Sequence, residues 1–319
     1  MGFLERLGVE LPVVQAGMGG GIARHELAAA VSEAGGLGTI GTLDPPALRA
    51  ELAAARDATS RPIAVNLLLP FARRGHWKLA AEADAHVTFW GAPRRRAAGV
   101  WLHQCGSVEE ARDAHAAGAD AVIVQGVEAG GHVRGVQRAL DLLERTRAAL
   151  PDGYPLLLAG GVAEAADVRA ALDAGAEAAV LGTRFVLSDE SAAHPEYKRR
   201  GVEGTRTLLT ELFGAGWPAP HRVLPNAATE RWLRGDPRGP AWVRRLQRAA
   251  TPMLARTPAS LQARMASLAR PSQPLLSPQP AVAGGPERLL EAGPLYAGET
   301  VARIGEVRPA GELTRELAG

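Results

Sequence analysis

Ala117-Gly118-Ala119-Asp120-Ala121-Val122-Ile123-Val124-Gln125 is echoed later in the chain by Ala174-Gly175-Ala176-Glu177-Ala178-Ala179-Val180-Leu181. Each copy sets a glycine that can end a helix ahead of a run that is apolar at successive positions. Such a run suits a strand buried on both faces, the condition of a parallel sheet covered by helices. Ala34-Gly35 and Ala98-Gly99 mark comparable junctions. Working outward, eight β-rich runs can be counted: Pro12–Gln15, Leu37–Ile40, Ile63–Asn66, His86–Phe89, Val100–Gln104, Ala121–Gln125, Pro155–Leu158 and Ala178–Leu181. Alanine-rich helical segments separate most of them.

The helices carry their own punctuation. Asp44 before Pro45-Pro46 predicts an N-cap with proline in the first turn, and Ser107 with Glu110 has the spacing of a reciprocal capping box. Gly118 and Gly175 are placed to stop two helices. Length alone also admits two smaller domains, but eight βα units predict an α/β fold, a closed (β/α)8 TIM barrel over residues 1–187, with chemistry on loops at the C-terminal ends of its strands. Few residues separate Phe89 from Val100, so the fourth helix should be reduced or absent. Residues 188–270, rich in arginine and helical in spacing, predict a C-terminal helical cap. Residues 271–319 begin as a proline-rich linker and should end in a helix that packs on the barrel.

Composition sets the class. The 319 residues are 46% hydrophobic and 22% charged, ordinary values for a soluble enzyme, with a formal charge of only +2. The basic runs Arg73-Arg74 and Arg94–Arg96 lack interleaved aromatics and read as a solvated face, so no nucleic-acid partner is expected. One cysteine, Cys105, excludes an internal disulfide and a cysteine metal cluster, and it reads as structural. No apolar run approaches the roughly 20 residues of a membrane span, and no export signal is apparent, so a cytoplasmic, non-membrane protein is expected. A homodimer is compatible with this reading.

The polar residues of interest fall at strand ends. The loop Gln15, Ala16, Gly17, Met18 follows the first strand; Asn66 ends the third, Gln104 the fifth and Gln125 the sixth. Converging amides suit the carbonyls and ring nitrogens of a flat heterocycle; the alternative is that each satisfies a backbone group in its own loop. Gly160-Gly161 follows the seventh strand and Gly182-Thr183 the eighth, where barrels commonly bind phosphate through backbone N–H groups; tight turns alone are the alternative. No Walker motif or dinucleotide glycine fingerprint occurs in a strand-to-helix setting, which favours a mononucleotide. His132, flanked by Gly130 and Gly131 after the sixth strand, is the candidate catalytic residue, in a backbone that should approach a ligand closely. His103 should face the helical layer, whereas His25, His76, His115, His194 and His221 lack convergent partners, and no metal-ligand spacing appears.

Together these motifs resemble the nitronate monooxygenase family, formerly 2-nitropropane dioxygenases, which is close to the FMN-dependent enoyl-acyl-carrier-protein reductases. The resemblance covers most of the chain. It rests on Pro12–Gly21, Val65-Asn66, Gln125–His132, Ala159-Gly160-Gly161, Leu181–Phe185 and Tyr296-Ala297-Gly298-Glu299. Departures are Gly17, where many relatives have proline, Glu299, where glutamine is more usual, and Val133-Arg134, where the motif often reads His-Arg-Gly.

The resemblance implies FMN, with Gly161, Gly182 and Thr183 near its phosphate and Met18, Asn66, Gln125 and the Gln15–Gly17 backbone near the flavin. His132 would then act on a small-molecule substrate. Implied activities are oxidation of alkyl nitronates with O2 to a carbonyl compound and nitrite or, alternatively, NAD(P)H-dependent reduction of an enoyl thioester, enone or other conjugated carbonyl, or quinone. A flavoprotein without turnover, acting as a binding subunit, and a flavin-free barrel acting on a phosphorylated metabolite are the remaining readings. Purine-nucleotide dehydrogenases use a nucleophilic cysteine in a glycine-rich loop, which Cys105 beside its capping box does not match.

Overall fold

The computed structural model describes residues 2–254, 257 and 259–319. Its contacts divide into two units: Met1–Ala129 with Arg134–Ala192 and Glu306–Gly319, and Gly130–Val133 with Ala193–Gly305.

In chain order the strands are β1 (Val13–Gln15), β2 (Gly38–Ile40), β3 (Ile63–Leu68), β4 (Ala85–Phe89), β5 (Val100–Cys105), β6 (Ala121–Gln125), β7 (Gly131–His132), β8 (Leu156–Ala159), β9 (Ala178–Leu181), β10 (Leu208–Thr210) and β11 (His221–Val223). In the first unit eight of them form one parallel sheet in the order β2-β3-β4-β5-β6-β8-β9-β1. A bridge between Val14 and Leu37 brings β1 back to β2. The result is the (β/α)8 barrel that the eight runs predict.

Alternation explains why the runs are apolar throughout. Val14, Ala64, Leu102, Ile123, Leu157 and Val180 fill the barrel interior. Val13, Val122, Leu158 and Leu181 point outward into a core shared with the helices. Each fully buried side chain of this size contributes about 1.5–3 kcal/mol of transfer free energy. The last helix, Ala310–Ala318, joins that outer core through Leu313 and Leu317.

The repeated Ala-Gly junctions have one cause. Gly35, Gly99, Gly118 and Gly175 all hold φ between +84° and +97°, a left-handed turn that would strain a residue bearing Cβ. Asp44 Oδ1 accepts the Ala47 N–H at 3.0 Å, as its position predicts. The box at Ser107 is only half formed. Ser107 Oγ accepts the Glu110 N–H at 3.2 Å, but the Glu110 carboxylate takes the Gly106 N–H, at 2.8 Å, and also pairs with Arg134.

Between Phe89 and Val100 the described residues contain no helix. Trp101, fully buried on the outer face of β5, fills the gap and donates its Nε1–H to Thr88 Oγ1 at 2.7 Å. Arg95 covers it, its guanidinium 5.5 Å from the ring centre, and binds Asp120 at 2.8 Å and the Gly99 carbonyl at 3.2 Å. Arg95 therefore belongs to the barrel wall, a correction to reading Arg94–Arg96 as merely solvated.

The second unit holds the helices Pro195–Val202, Ala227–Trp232, Ala241–Leu254 and Ala259–Ser267. It also contains an antiparallel sheet, β10-β11-β7, that helical spacing did not foretell. Its strands are two or three residues long, too short to show alternation, and β7 lies far from the others in sequence. Residues 271–286 form neither helix nor strand, yet Leu276 and Ala281 are buried. Their carbonyls accept the Ala215 and His194 N–H groups, each at 3.1 Å, so the proline-rich stretch is packed rather than a loose linker.

Candidate active site

The alternation that fills the barrel with Ala64, Leu102 and Ile123 also turns Asn66, Gln104 and Gln125 inward, on the C-terminal side of that apolar layer. Three of the four expected amides thus share one rim. Asn66 is buried, and its Nδ2 donates to the Gly17 carbonyl at 2.9 Å. Gln125 is buried, and its Oε1 accepts the Arg134 N–H at 3.0 Å; Gln104 is half-buried.

Gln15 differs. It follows Val13 and Val14 with the outward parity of Val13, and its Oε1 accepts the Thr39 N–H at 2.9 Å while its Nε2 donates to the Ala16 carbonyl. Its side chain clasps the seam between β1 and β2, so only the backbone of this loop is left to meet a ligand. Met18 likewise sends its side chain into the outer core, while Ala16 packs against the inner one. A Cβ on Gly17 would lie 2.2 Å from that of Asn66, which accounts for glycine at this departure from the family pattern.

Two glycine loops leave the same rim. Gly160 and Gly161 follow β8 with φ of +97° and +77°, and Gly182-Thr183 follows β9, the strand paired with β8. A Cβ added at Gly182 would meet only Ala16, at 3.8 Å, so the backbone there is open. Consecutive left-handed glycines beside that opening fit the terminal phosphate of a mononucleotide. The buried Glu128, missed in the sequence reading, adjoins them and caps a helix: its Oε1 accepts the Ala139 N–H at 3.0 Å. A carboxylate within a glycine-rich loop was the available signal.

Other glycines of this loop approach protein rather than ligand. A Cβ on Gly126 would sit 2.4 Å from Ala139 N, one on Gly135 2.3 Å from the Gln125 carbonyl, and one on Gly130 2.5 Å from Gly298 N. Gly131, with φ +72°, faces open space.

His132 belongs to the second unit. Its backbone pairs with His221 in β11, and the Val133 N–H donates to the Pro220 carbonyl at 2.9 Å. The imidazole stacks on Trp217 with ring centres 3.6 Å apart and planes 22° from parallel. The rings of His221 and Tyr296 lie 5.4 and 5.6 Å away. His221, set aside in the sequence reading as lacking partners, is thus a neighbour of His132. Its Nε2 accepts the Phe213 N–H at 3.2 Å, which leaves Nδ1 protonated and donating to the Ala219 carbonyl at 2.8 Å. Burial holds its pKa near 4. The protein packed around His132 and, second, His221 push the His132 pKa well below the usual histidine value. Both rings are neutral at pH 7. Glu299, where glutamine is more usual, pairs at 2.9 Å with the buried Arg222.

The remaining candidates are structural. His103 faces outward as expected, its Nδ1 2.7 Å from Thr88 Oγ1. Cys105 is buried, and burial raises its thiol pKa, so it stays protonated and unreactive. His25, Glu26 and Glu51 cluster on the barrel, where Glu51 accepts both the backbone N–H of His25 and a 2.7 Å contact from its Nδ1.

A family model described as nitronate monooxygenase matches residues 3–94 and 92–318. Among curated proteins, the (3aS,4S,5R,7aS)-5-hydroxy-7a-methyl-1-oxo-octahydro-1H-indene-4-carboxyl-CoA dehydrogenase of Mycobacterium tuberculosis is 34% identical over 247 residues, 73% of this chain and 68% of its own. The nitronate monooxygenase of Pseudomonas aeruginosa is 35% identical over 283 residues, 70% of this chain and 79% of its own. Among solved structures, FabK from Thermotoga maritima is similar with a TM-score of 0.77 at 30% identity, covering 98% of this chain and 93% of its own.

Proposed function

Since the chain belongs to the nitronate monooxygenase family, we propose that it is an FMN-dependent oxidoreductase that oxidises alkyl nitronates with O2 to a carbonyl compound and nitrite. The observation that carries the cofactor is the barrel rim. Inward amides of Asn66, Gln104 and Gln125 above an apolar plug suit a flat ring system, and the left-handed glycines Gly160 and Gly161 beside the open backbone of Gly182 suit one phosphate. When bound, FMN supplies the electron chemistry between nitronate and O2.

The chain's own residues then set what substrate is accepted. A histidine whose pKa lies well below normal is neutral at pH 7 and a weak base toward the C–H of a neutral nitroalkane. A nitronate needs no such deprotonation. It presents its negative charge to the ring, which can stabilise it by a hydrogen bond, and the charge in turn favours the protonated ring. This supports a nitronate as substrate over its parent nitroalkane, with His132 holding the charge rather than abstracting a proton.

A second reading has one observation in its favour, the 34% identity to a dehydrogenase whose substrate is a CoA thioester. In it, hydride passes by way of the flavin from NADH or NADPH to an enoyl thioester, enone or quinone.

The purified protein should be yellow and release FMN on denaturation. Anaerobic mixing with a nitronate should bleach the flavin, and nitrite should form in air. A colourless protein that takes up no FMN on titration would overturn the cofactor. Rapid bleaching by NADPH or NADH, with no nitrite from nitronates, would replace the first reading with the second.

A further inference from the structure

Nine large hydrophobic side chains are exposed among the described residues, and six of them fall in one short stretch of the second unit: Trp242, Leu246, Met253, Leu261, Met265 and Leu268. Trp242, Leu246 and Met253 follow helical spacing and share one face of Ala241–Leu254, while the adjacent face, Val243, Gln247 and Leu254, is buried. The apolar side of this helix is therefore wider than the unit covers. Leu261, Met265 and Leu268 repeat the pattern on and just past Ala259–Ser267. Exposed apolar residues gathered in this way mark an interaction surface.

The charge around them is equally concentrated. Residues 231–270 contain nine arginines and no lysine against one carboxylate, Asp236, in a chain whose net charge is +2. Arg245 and Arg248 are exposed on the same helix as Trp242, Arg248 also pairing with Glu211 at 3.2 Å. A second copy of the chain is a poor occupant, because pairing the same face would bring two arginine-rich surfaces together. A protein partner would have to bring a matching acidic surface, and vesicle flotation separates that case from lipid. Apart from the Trp242 indole, the exposed residues of Ala241–Leu254 are only alanine, arginine, leucine, methionine and proline. Apolar side chains that enter the acyl boundary, with cations at the level of the head groups, are what an anionic bilayer surface selects.

We propose that the exposed apolar face of Ala241–Leu254, with the arginines beside it, docks the protein peripherally on anionic phospholipid. No described helix is long and apolar enough to span a membrane, so attachment is to the surface.

The test is co-flotation of the full-length protein with phosphatidylcholine vesicles, with and without phosphatidylglycerol. Binding is expected only where phosphatidylglycerol is present, and raising the salt should release most of it as the Debye length shrinks below about 8 Å, leaving a remainder held by the apolar side chains. Arg245→Glu with Arg248→Glu should weaken binding by at least about tenfold. Trp242→Ser with Met253→Ser should abolish the part that survives high salt, and both variants should keep the wild-type melting temperature. Should a double variant fail to fold, Met253→Ser alone and the salt series on the wild type carry the test. No flotation with phosphatidylglycerol at low salt, or equal flotation of wild type and arginine variant, overturns the proposal. So does a wild-type dimer that Trp242→Ser dissociates, or capture by an acidic protein or polynucleotide without flotation.

Discussion

The ring of His132 lies 3.6 Å from that of Trp217 and nearly parallel to it, so rotation of the imidazole out of this plane would lose the stacking contact. His221 cannot share the positioning role through its ring nitrogens, both already engaged by backbone groups of Phe213 and Ala219. If His132 acts as proposed, Trp217 is the residue that positions it. Trp217→Ala should lower kcat on nitronates about tenfold, the order of effect expected of a misplaced catalytic group, while KM and FMN content change little. Trp217→Phe should restore most of the activity, since an aromatic face is what the ring rests on. Steady-state kinetics of the two variants, with FMN content measured in each, checks this. Equal loss in both variants would remove the stacking account.

At the scale of elements, a barrel that lacks one of its helices must close its wall by other means. Asp120 Oδ2 does this from two sides, taking the Trp101 N–H at 2.8 Å and the Arg95 guanidinium at 2.8 Å. Asp84, also just ahead of a strand, takes the Ile63 N–H at 2.8 Å in the same manner, whereas Glu177, the acidic residue of the second copy of the repeat, takes the Phe3 N–H at 3.1 Å. Arg95→Ala leaves Trp101 covered on one face fewer. The side chain is more than a third exposed, so its ion pair is screened, and a cost of about 1–2 kcal/mol is expected from the stacked cation and the lost carbonyl contacts together. Urea unfolding should show a lower midpoint at an unchanged slope. An unchanged midpoint would mean that Trp101 packing alone holds the wall.

For the molecule as a whole, histidines held neutral by burial shape the response to acid, and three of them besides His132 carry large shifts. The pKa values of His86, His103 and His221 are each lowered by burial from 6.5 to about 4. Between those values the unfolded chain binds protons that the folded chain refuses, so stability falls as pH drops from 6.5 to 4, by on the order of 3 kcal/mol per histidine, and then levels off. His86 has neither ring nitrogen hydrogen-bonded among the described residues. His86→Leu should therefore leave stability at pH 7 unchanged or raised and flatten the acid slope in melting temperature, whereas an undiminished slope would place the acid sensitivity elsewhere. The barrel is legible in the chain alone. Successive apolar residues declare a strand buried on both faces, and the Ala-Gly turns obey local backbone sterics, so both can be read within a few neighbouring positions. The amides Asn66, Gln104 and Gln125 and the glycine loops were legible from their places at strand ends, and the barrel's alternation then turned those three inward. Long-range packing is what commits the Gln15 side chain to the barrel seam, turns most glycines near His132 toward protein, and brings Trp217, His221 and Tyr296 around its ring. Those contacts join residues far apart in the chain through strands of two or three residues, and such pairings leave no periodic trace along the sequence from which they could be inferred.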